Sequence, residues 1–364
     1  MKWYDTSLTE RVARAPERSE ASMPVRTIAQ QGRTCLARRL FRGGGLGQGG
    51  AFPILATLCV VVLAGCRRTA PSPTPDNPSR SDATCSTRPI TAAESSQSRS
   101  LRVVSLAPHI TEVVFALGQG ARVVGVTSYC NYPPEARQCA RCGGAMNTDL
   151  ERILSLRPDL ILVHGEHPTA VRFCQAHKIR MIRTDANDLA GLYDLIRKAA
   201  EALGCPDRGE ALIAKMQADI DRTRAAVAGR PPVKTFLSMS RPIDRIKSLY
   251  TTNGSGFVSE MLRVAGGQNV FASTAVRYPK IEPAELLRRK PDAIIELQPG
   301  KTLTDEQRRQ MTAQWSELGT IPATAGGRIL FITADYAMIP GPRMPLLARR
   351  LAELLHPDLA GKLD

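Results

Sequence analysis

Three short stretches of this 364-residue sequence crowd chemistry-bearing side chains together: His164-Gly-Glu-His167, Cys139-Ala-Arg-Cys142 and Asp335-Tyr336. Imidazole and carboxylate suit zinc or manganese, so His164, Glu166 and His167 could ligate a bare ion. A complete cage would need further ligands from elsewhere, and Asp335 is the one obvious offer. The expectation is therefore no metal site, with His164 kept as a ligand-contacting candidate because it follows an apolar run, Leu160–Val163. Cys139 and Cys142 have zinc or redox spacing, but no second pair follows at zinc-finger distance. Ser, His and Asp all occur, yet no Gly-x-Ser-x-Gly elbow, phosphate loop or His-Glu-x-x-His is present, so no enzyme and no resident cofactor are expected. Gly254-Ser-Gly256 reads as an anchor turn before a helix. Aromatic residues are 5% of the chain. Tyr129, Tyr278 and Tyr336 therefore carry weight wherever loops bring them near a cleft.

A different chemistry is written at Leu63-Ala-Gly-Cys66. It closes an apolar run from Phe52 that is too short for a comfortable bilayer span and follows Arg33, Arg38, Arg39 and Arg42. This resembles a bacterial lipoprotein signal, which implies cleavage before Cys66 and acylation of its thiol. Met23 is a plausible true start. Residues 67–100 hold Pro71, Pro73, Pro75 and Pro78 among polar residues without apolar periodicity. They read as a disordered tether between lipid and domain. After Cys66 six cysteines remain, Cys85 within the tether and Cys130, Cys139, Cys142, Cys174 and Cys205 beyond it, an even number whose pairing the sequence leaves open. The net charge of +15 is spread along the chain without a dense basic run, so no nucleic-acid partner is expected.

The elements that must position these residues begin at Leu101. Arg102–Leu106, Arg122–Val126, Leu160–Val163 and Ile179–Ile182 read as strands, with helices over Thr111–Leu117 and from a cap at Asn147 or Thr148 through Leu156. Alternating strands and helices argue for parallel sheets. Two echoes then recur in the same order. Glu151 to Leu162 resembles Ala284 to Ile295, both a short helix, Pro-Asp and a strand. Glu112 to Gly118 resembles Glu260 to Gly266. Between the copies, Leu189–Leu203 and Gly209–Val227 read as helices, and the second lobe runs from Val233–Leu237 to a last helix over Leu346–Leu355. The expected fold is α/β, with two Rossmann-like lobes of parallel sheet joined by a single long interlobe helix, a link that limits lobe motion. The expected domains are 1–66 (signal), 67–100 (tether), 101–189 (first lobe), 190–230 (interlobe linker) and 231–364 (second lobe).

From Leu101 to about Pro357 the chain resembles the periplasmic substrate-binding proteins of ABC importers that take ferric siderophores, haem or cobalamin, the class III binding-protein fold. The resemblance rests on Ser105–Pro108 before Thr111-Glu112, Gly125–Pro134, Leu150–Ile153 before Pro158-Asp159, Ala265–Phe271, Pro291-Asp292 and Gly341-Pro-Arg343. Ser128-Tyr129 to Pro134 and Asp335-Tyr336 look most like the cobalamin branch. The resemblance implies ligand contacts at Tyr129, Tyr278, Asp335 and Tyr336, with cobalamin or a related corrinoid as ligand and haem or a ferric siderophore as the alternative. At Gly143–Met146 this chain lacks a tryptophan that the cobalamin branch can carry. The resemblance further implies a permease dimer with its ATPase as partner, docking through one carboxylate per lobe. Glu151 matches the first. Ala284 stands where the second is expected, and Glu282 and Glu285 flank it. A monomer in the periplasm or cell envelope, anchored by lipid, completes the expectation.

Overall fold

The computed structural model describes residues 100–144, 147–246 and 248–363. The expectations for the signal segment, Cys66, Cys85, the tether up to residue 99 and Met146 lie outside these residues. Among the described residues, no helix is long and apolar enough to cross a membrane.

The first lobe runs β1 (Val103–Ser105), α1 (Pro108–Ala116), β2 (Val123–Val126), β3 (Ala140–Arg141), α2 (Leu150–Ser155), β4 (Leu160–His164), α3 (Pro168–His177) and β5 (Arg180–Thr184). Two helices follow, α4 (Leu189–Ala202) and α5 (Pro206–Ala226). The second lobe continues β6 (Val233–Met239), β7 (Leu249–Tyr250), α6 (Phe257–Val264), β8 (Gly267–Asn269), β9 (Lys280–Ile281), α7 (Pro283–Arg289), β10 (Ala293–Leu297), α8 (Asp305–Leu318), α9 (Pro322–Ala325), β11 (Ile329–Ile332) and α10 (Met344–Leu355).

The first sheet has the order β3-β2-β1-β4-β5 and the second β11-β10-β6-β8. Every pairing in both is parallel. β2-β1-β4-β5 therefore matches β8-β6-β10-β11, and the sequence echoes mark equivalent places in two copies of one topology. Helices cover both faces of such sheets, which is why β4 is apolar from Leu160 to Val163 and β10 is apolar except for Glu296; β10 is buried at every position.

The Pro-Asp echo has a physical cause. Asp159 accepts a hydrogen bond from the Arg102 amide at 2.8 Å, and Asp292 accepts one from the Lys234 amide at 3.2 Å. The amides of both aspartates donate back to the carbonyls of the same residues, at 2.9 and 2.7 Å. Each aspartate thus ties the start of one central strand to the start of its neighbour. The residues before the prolines, Arg157 and Lys290, both take positive φ, 46° and 47°, and so stop the preceding helix in the same left-handed turn.

Some boundaries differ from expectation. The cap of α2 is Asp149, which accepts from the Arg152 amide at 2.8 Å, and not Asn147 or Thr148. Those two close the preceding turn instead, through the Gly144 amide and carbonyl. α1 starts at Pro108 and α10 at Met344, earlier than Thr111 and Leu346, because proline fits a first helical turn, where its missing N–H costs nothing.

Helix α5 crosses between the lobes. It contributes Ile213, Met216 and Ile220 to an apolar core that continues from Val103, Leu162 and Leu195 on one side to Leu237, Leu262 and Leu351 on the other. Near the linker, the Phe257 amide donates to the Asn187 carbonyl at 3.0 Å, and the Leu189 amide donates to the Glu260 carboxylate at 2.9 Å.

Candidate ligand-binding cleft

Parallel strands deliver loops at their C-terminal ends, where open α/β sheets bind ligands. Here the two sets of loops face each other across a cavity of about 180 Å³. His109 follows β1, Tyr129 follows β2, His164 ends β4 and Asn187 follows β5. From the second lobe come Ser240 after β6, Tyr278 before β9, Lys301 after β10 and Asp335 after β11. Four of the expected ligand residues, Tyr129, Tyr278, Asp335 and His164, thus line one cavity. Tyr336 is not among the lining residues. It packs half-buried against the core, its ring centroid 5.5 Å from the Arg343 guanidinium.

The surface of the wall is mostly apolar, with Phe257, Met338 and Ile339 among its residues, and its polar groups carry nearly no net charge. His109 is buried, and its ring stands perpendicular to that of His164 with centroids 4.7 Å apart. Burial first, and the neighbouring His164 second, push the His109 imidazole down to about 3. Burial likewise lowers His164. His109 Nε2 and His164 Nδ1 are buried without a hydrogen-bond partner in the protein. Lys301 donates to Gln298 Oε1 at 2.6 Å, and burial lowers its ammonium. Asp335 is held by Arg343, at 2.7 Å from Nη1 to Oδ1. Beneath these loops the buried Glu296 accepts from Arg241 Nε at 2.6 Å, Trp315 Nε1 at 2.7 Å and Ser238 Oγ at 3.1 Å. The Gln298 amide group in turn donates to the Arg241 carbonyl at 3.1 Å. This network fixes the ends of β6 and β10, and with them Ser240 and Lys301.

His109, Asn187, Ser240 and Lys301 were missed in the sequence. The signal for His109 was Pro108 just after a strand, which marks a helix start at a strand's C-terminal end.

The remaining candidates lie elsewhere. Glu166 pairs with Arg183, and His167 precedes α3. Among the described residues, no group of three or more His, Cys, Asp or Glu is placed to hold a metal. Cys139 and Cys142 do not converge: their thiols turn to the carbonyls of Val123 and Ala140, at 3.4 and 3.8 Å. The five described cysteines are free thiols. Glu151 is exposed in the first turn of α2, and the exposed Glu282 is the N-cap of the equivalent α7 without a capping bond from its side chain. Glu285 is paired with Arg289 at 2.7 Å. A larger hollow of about 1000 Å³ is lined mostly by the first lobe, Arg102, Glu112, Phe115 and Leu156 among others, and also by Pro342 and Arg343 of the second. It holds none of Tyr129, Tyr278, Asp335 or His164, and Arg102 sits at the opposite end of β1 from the cleft.

Two α/β lobes, one helix between their cores and a cleft at the strand ends define a solute-binding architecture. Residues 103–336 match the family model described as periplasmic binding protein, and the chain belongs to that family. It is 27% identical over 261 residues to a vitamin B12-binding protein of Pectobacterium atrosepticum, covering 70% of this chain and 88% of that one. It is 28% identical over 319 residues to an ABC transporter substrate-binding lipoprotein of Bacillus subtilis, covering 83% and 95%. Among solved structures, a periplasmic haem-binding protein from Roseiflexus superposes with a TM-score of 0.60 at 27% identity, over 71% of this chain and 98% of that one. The vitamin B12-binding protein of Vibrio cholerae shares the fold, with a TM-score of 0.59 at 24% identity over 70% and 96%.

Proposed function

We propose that this chain is a lipid-anchored, extracytoplasmic binding protein that delivers cobalamin or a related corrinoid to an ABC permease dimer and its ATPase. The observation that carries the ligand assignment is the character of the cleft wall. Tyr129 and Tyr278 offer flat aromatic surface to a macrocycle at low rotamer cost. Around them stand neutral hydrogen-bonding groups: His109, His164, Asn131, Asn187 and Ser240. Such a wall suits a ligand whose rim carries uncharged amides. A porphyrin with two carboxylates or an anionic ferric chelate would call for cations, and Lys301 is the single cation among the lining residues, already bonded to Gln298. The relatives named as vitamin B12-binding proteins support the same reading. Haem is the second reading, favoured by the Roseiflexus neighbour. In this assignment Tyr129, Tyr278, Asp335 and His164 contact the ligand, Tyr336 backs the site, and Cys66 carries the anchor.

The test is calorimetric titration of the full chain with cyanocobalamin, haemin and a ferric siderophore. Saturable one-to-one binding of cyanocobalamin alone is the expected result. Tight binding of haemin or the siderophore, with none of the corrinoid, would overturn the assignment.

A further inference from the structure

The echoed glutamates, Glu112 on α1 and Glu260 on α6, both reach across to the other half of the molecule. Glu260 meets a backbone amide at the linker, that of Leu189. Glu112 meets a side chain: Arg343 donates to it through Nε at 2.9 Å and Nη2 at 2.6 Å. The same guanidinium donates to Asp335 through Nη1 at 2.7 Å and Nη2 at 3.2 Å. It also lies over the ring of Tyr132, from the first lobe, at 3.7 Å. The side chains of Arg343 and Glu112 are only 11% and 2% exposed. A Cβ on Gly341 would stand 3.1 Å from Glu112 Oε2, so the Gly341-Pro-Arg343 turn has glycine where it passes the carboxylate. Neither Glu112 nor Arg343 lines the cavity, whereas Asp335 does.

We propose that Glu112 and Arg343 are positioning residues of the cleft: together they clasp the two lobes and aim Asp335 at the bound ligand. The proposal rests on the reading of the cleft as the ligand site. A planar guanidinium can fork to two carboxylates at once, which a lysine ammonium cannot do with the same geometry. Lobe spacing and the orientation of Asp335 therefore form a single setting, held from outside the ligand-lining surface. Glu260 is the fixed fastening beside the linker, and Glu112 is the one that a partner pulling on the lobes must release.

Two measurements on the full chain test this. In stopped-flow binding of cyanocobalamin, Glu112→Gln and Arg343→Lys should each release ligand roughly tenfold faster, with association changed by less than about twofold. Wild-type dissociation in either variant would overturn the proposal. In hydrogen exchange of the unliganded protein, Glu112→Gln should speed exchange in α1 and in residues 335–338 and leave β4 and β10 unchanged. Unchanged exchange, or a uniform rise that includes β4 and β10, would equally overturn it. If the wild type does not bind cyanocobalamin, the corrinoid assignment fails and the exchange measurement still decides the clasp.

Discussion

Tyr129 and Tyr278 enter the cavity from opposite lobes, so each is expected to act as an anchor rather than as packing. Loss of a well-packed aromatic anchor costs more than about 1 kcal/mol of binding. Tyr129→Ala and Tyr278→Ala should each weaken cyanocobalamin binding several-fold in calorimetry, while the melting temperature of the unliganded protein stays put. His109 makes a prediction about stability instead. Its folded-state value of about 3 lies below its ordinary 6.5. Between those values the unfolded chain binds a proton that the folded protein refuses, so stability falls as pH drops through that window. The slope from this group reaches about 1.4 kcal/mol per pH unit. Burial lowers His164 and His356 as well, which acts in the same direction. Melting curves from pH 7 to pH 4 should therefore flatten in His109→Asn relative to wild type. The tyrosines were legible because aromatic residues are scarce and sit in recognisable loops. His109 was not, because a buried histidine at a helix start looks the same in sequence as a surface one.

At the scale of elements, α2 and α7 are equivalent helices, each following a loop and each opening on an acidic cap, Asp149 and Glu282. We propose that permease docking uses Glu151 on the first and Glu282 on the second. Glu285 is already engaged: Arg289 binds it, and that guanidinium also stacks on Phe271 at 4.3 Å. Rim charges govern association and its salt dependence more than the chemistry of the cleft. Glu151→Lys and Glu282→Lys should each reduce uptake in a reconstituted transporter while calorimetric affinity for the ligand stays unchanged. Glu285→Lys should have the smaller effect. Equal effects of Glu282→Lys and Glu285→Lys would discard this ranking. The echo between these helices was readable from Pro158-Asp159 and Pro291-Asp292, because the strand-tying role of the aspartate demands the same dipeptide in both lobes. α8 was harder to see. Its buried residues are Met311 and Trp315 alone, so apolar periodicity is faint. The signal that was available is the capping box of Thr304 and Gln307, which closes both backbone donors at the helix start. The Glu112–Arg343 clasp joins residues 231 positions apart, and nothing local in either segment specifies its partner.

At the scale of the whole molecule, we propose that the chain divides its work between a domain that grips a solute and a leader that fixes it to a membrane. Lipid chains hold a protein by buried methylene groups while the protein itself stays in water. Cys66→Ser should release the protein from the membrane fraction or leave an unprocessed precursor. Fractionation and gel mobility identical to wild type would remove the anchor from the proposal.

The long helix α5 has a consequence for how the molecule comes apart. Its apolar face is shared between both lobes, and one unbroken set of buried side chains runs through it from Val103 to Leu355. Each lobe keeps a smaller apolar cluster of its own, around Ile161 in the first and Trp315 in the second, but the other face of each sheet packs into the shared set and loses its cover without that helix. Melting one lobe strips the shared face bare and removes the footing of the other. Scanning calorimetry should show one endotherm whose calorimetric and van't Hoff enthalpies agree, as for a single cooperative unit. Two separable endotherms would mean that each half carries enough interior to stand alone.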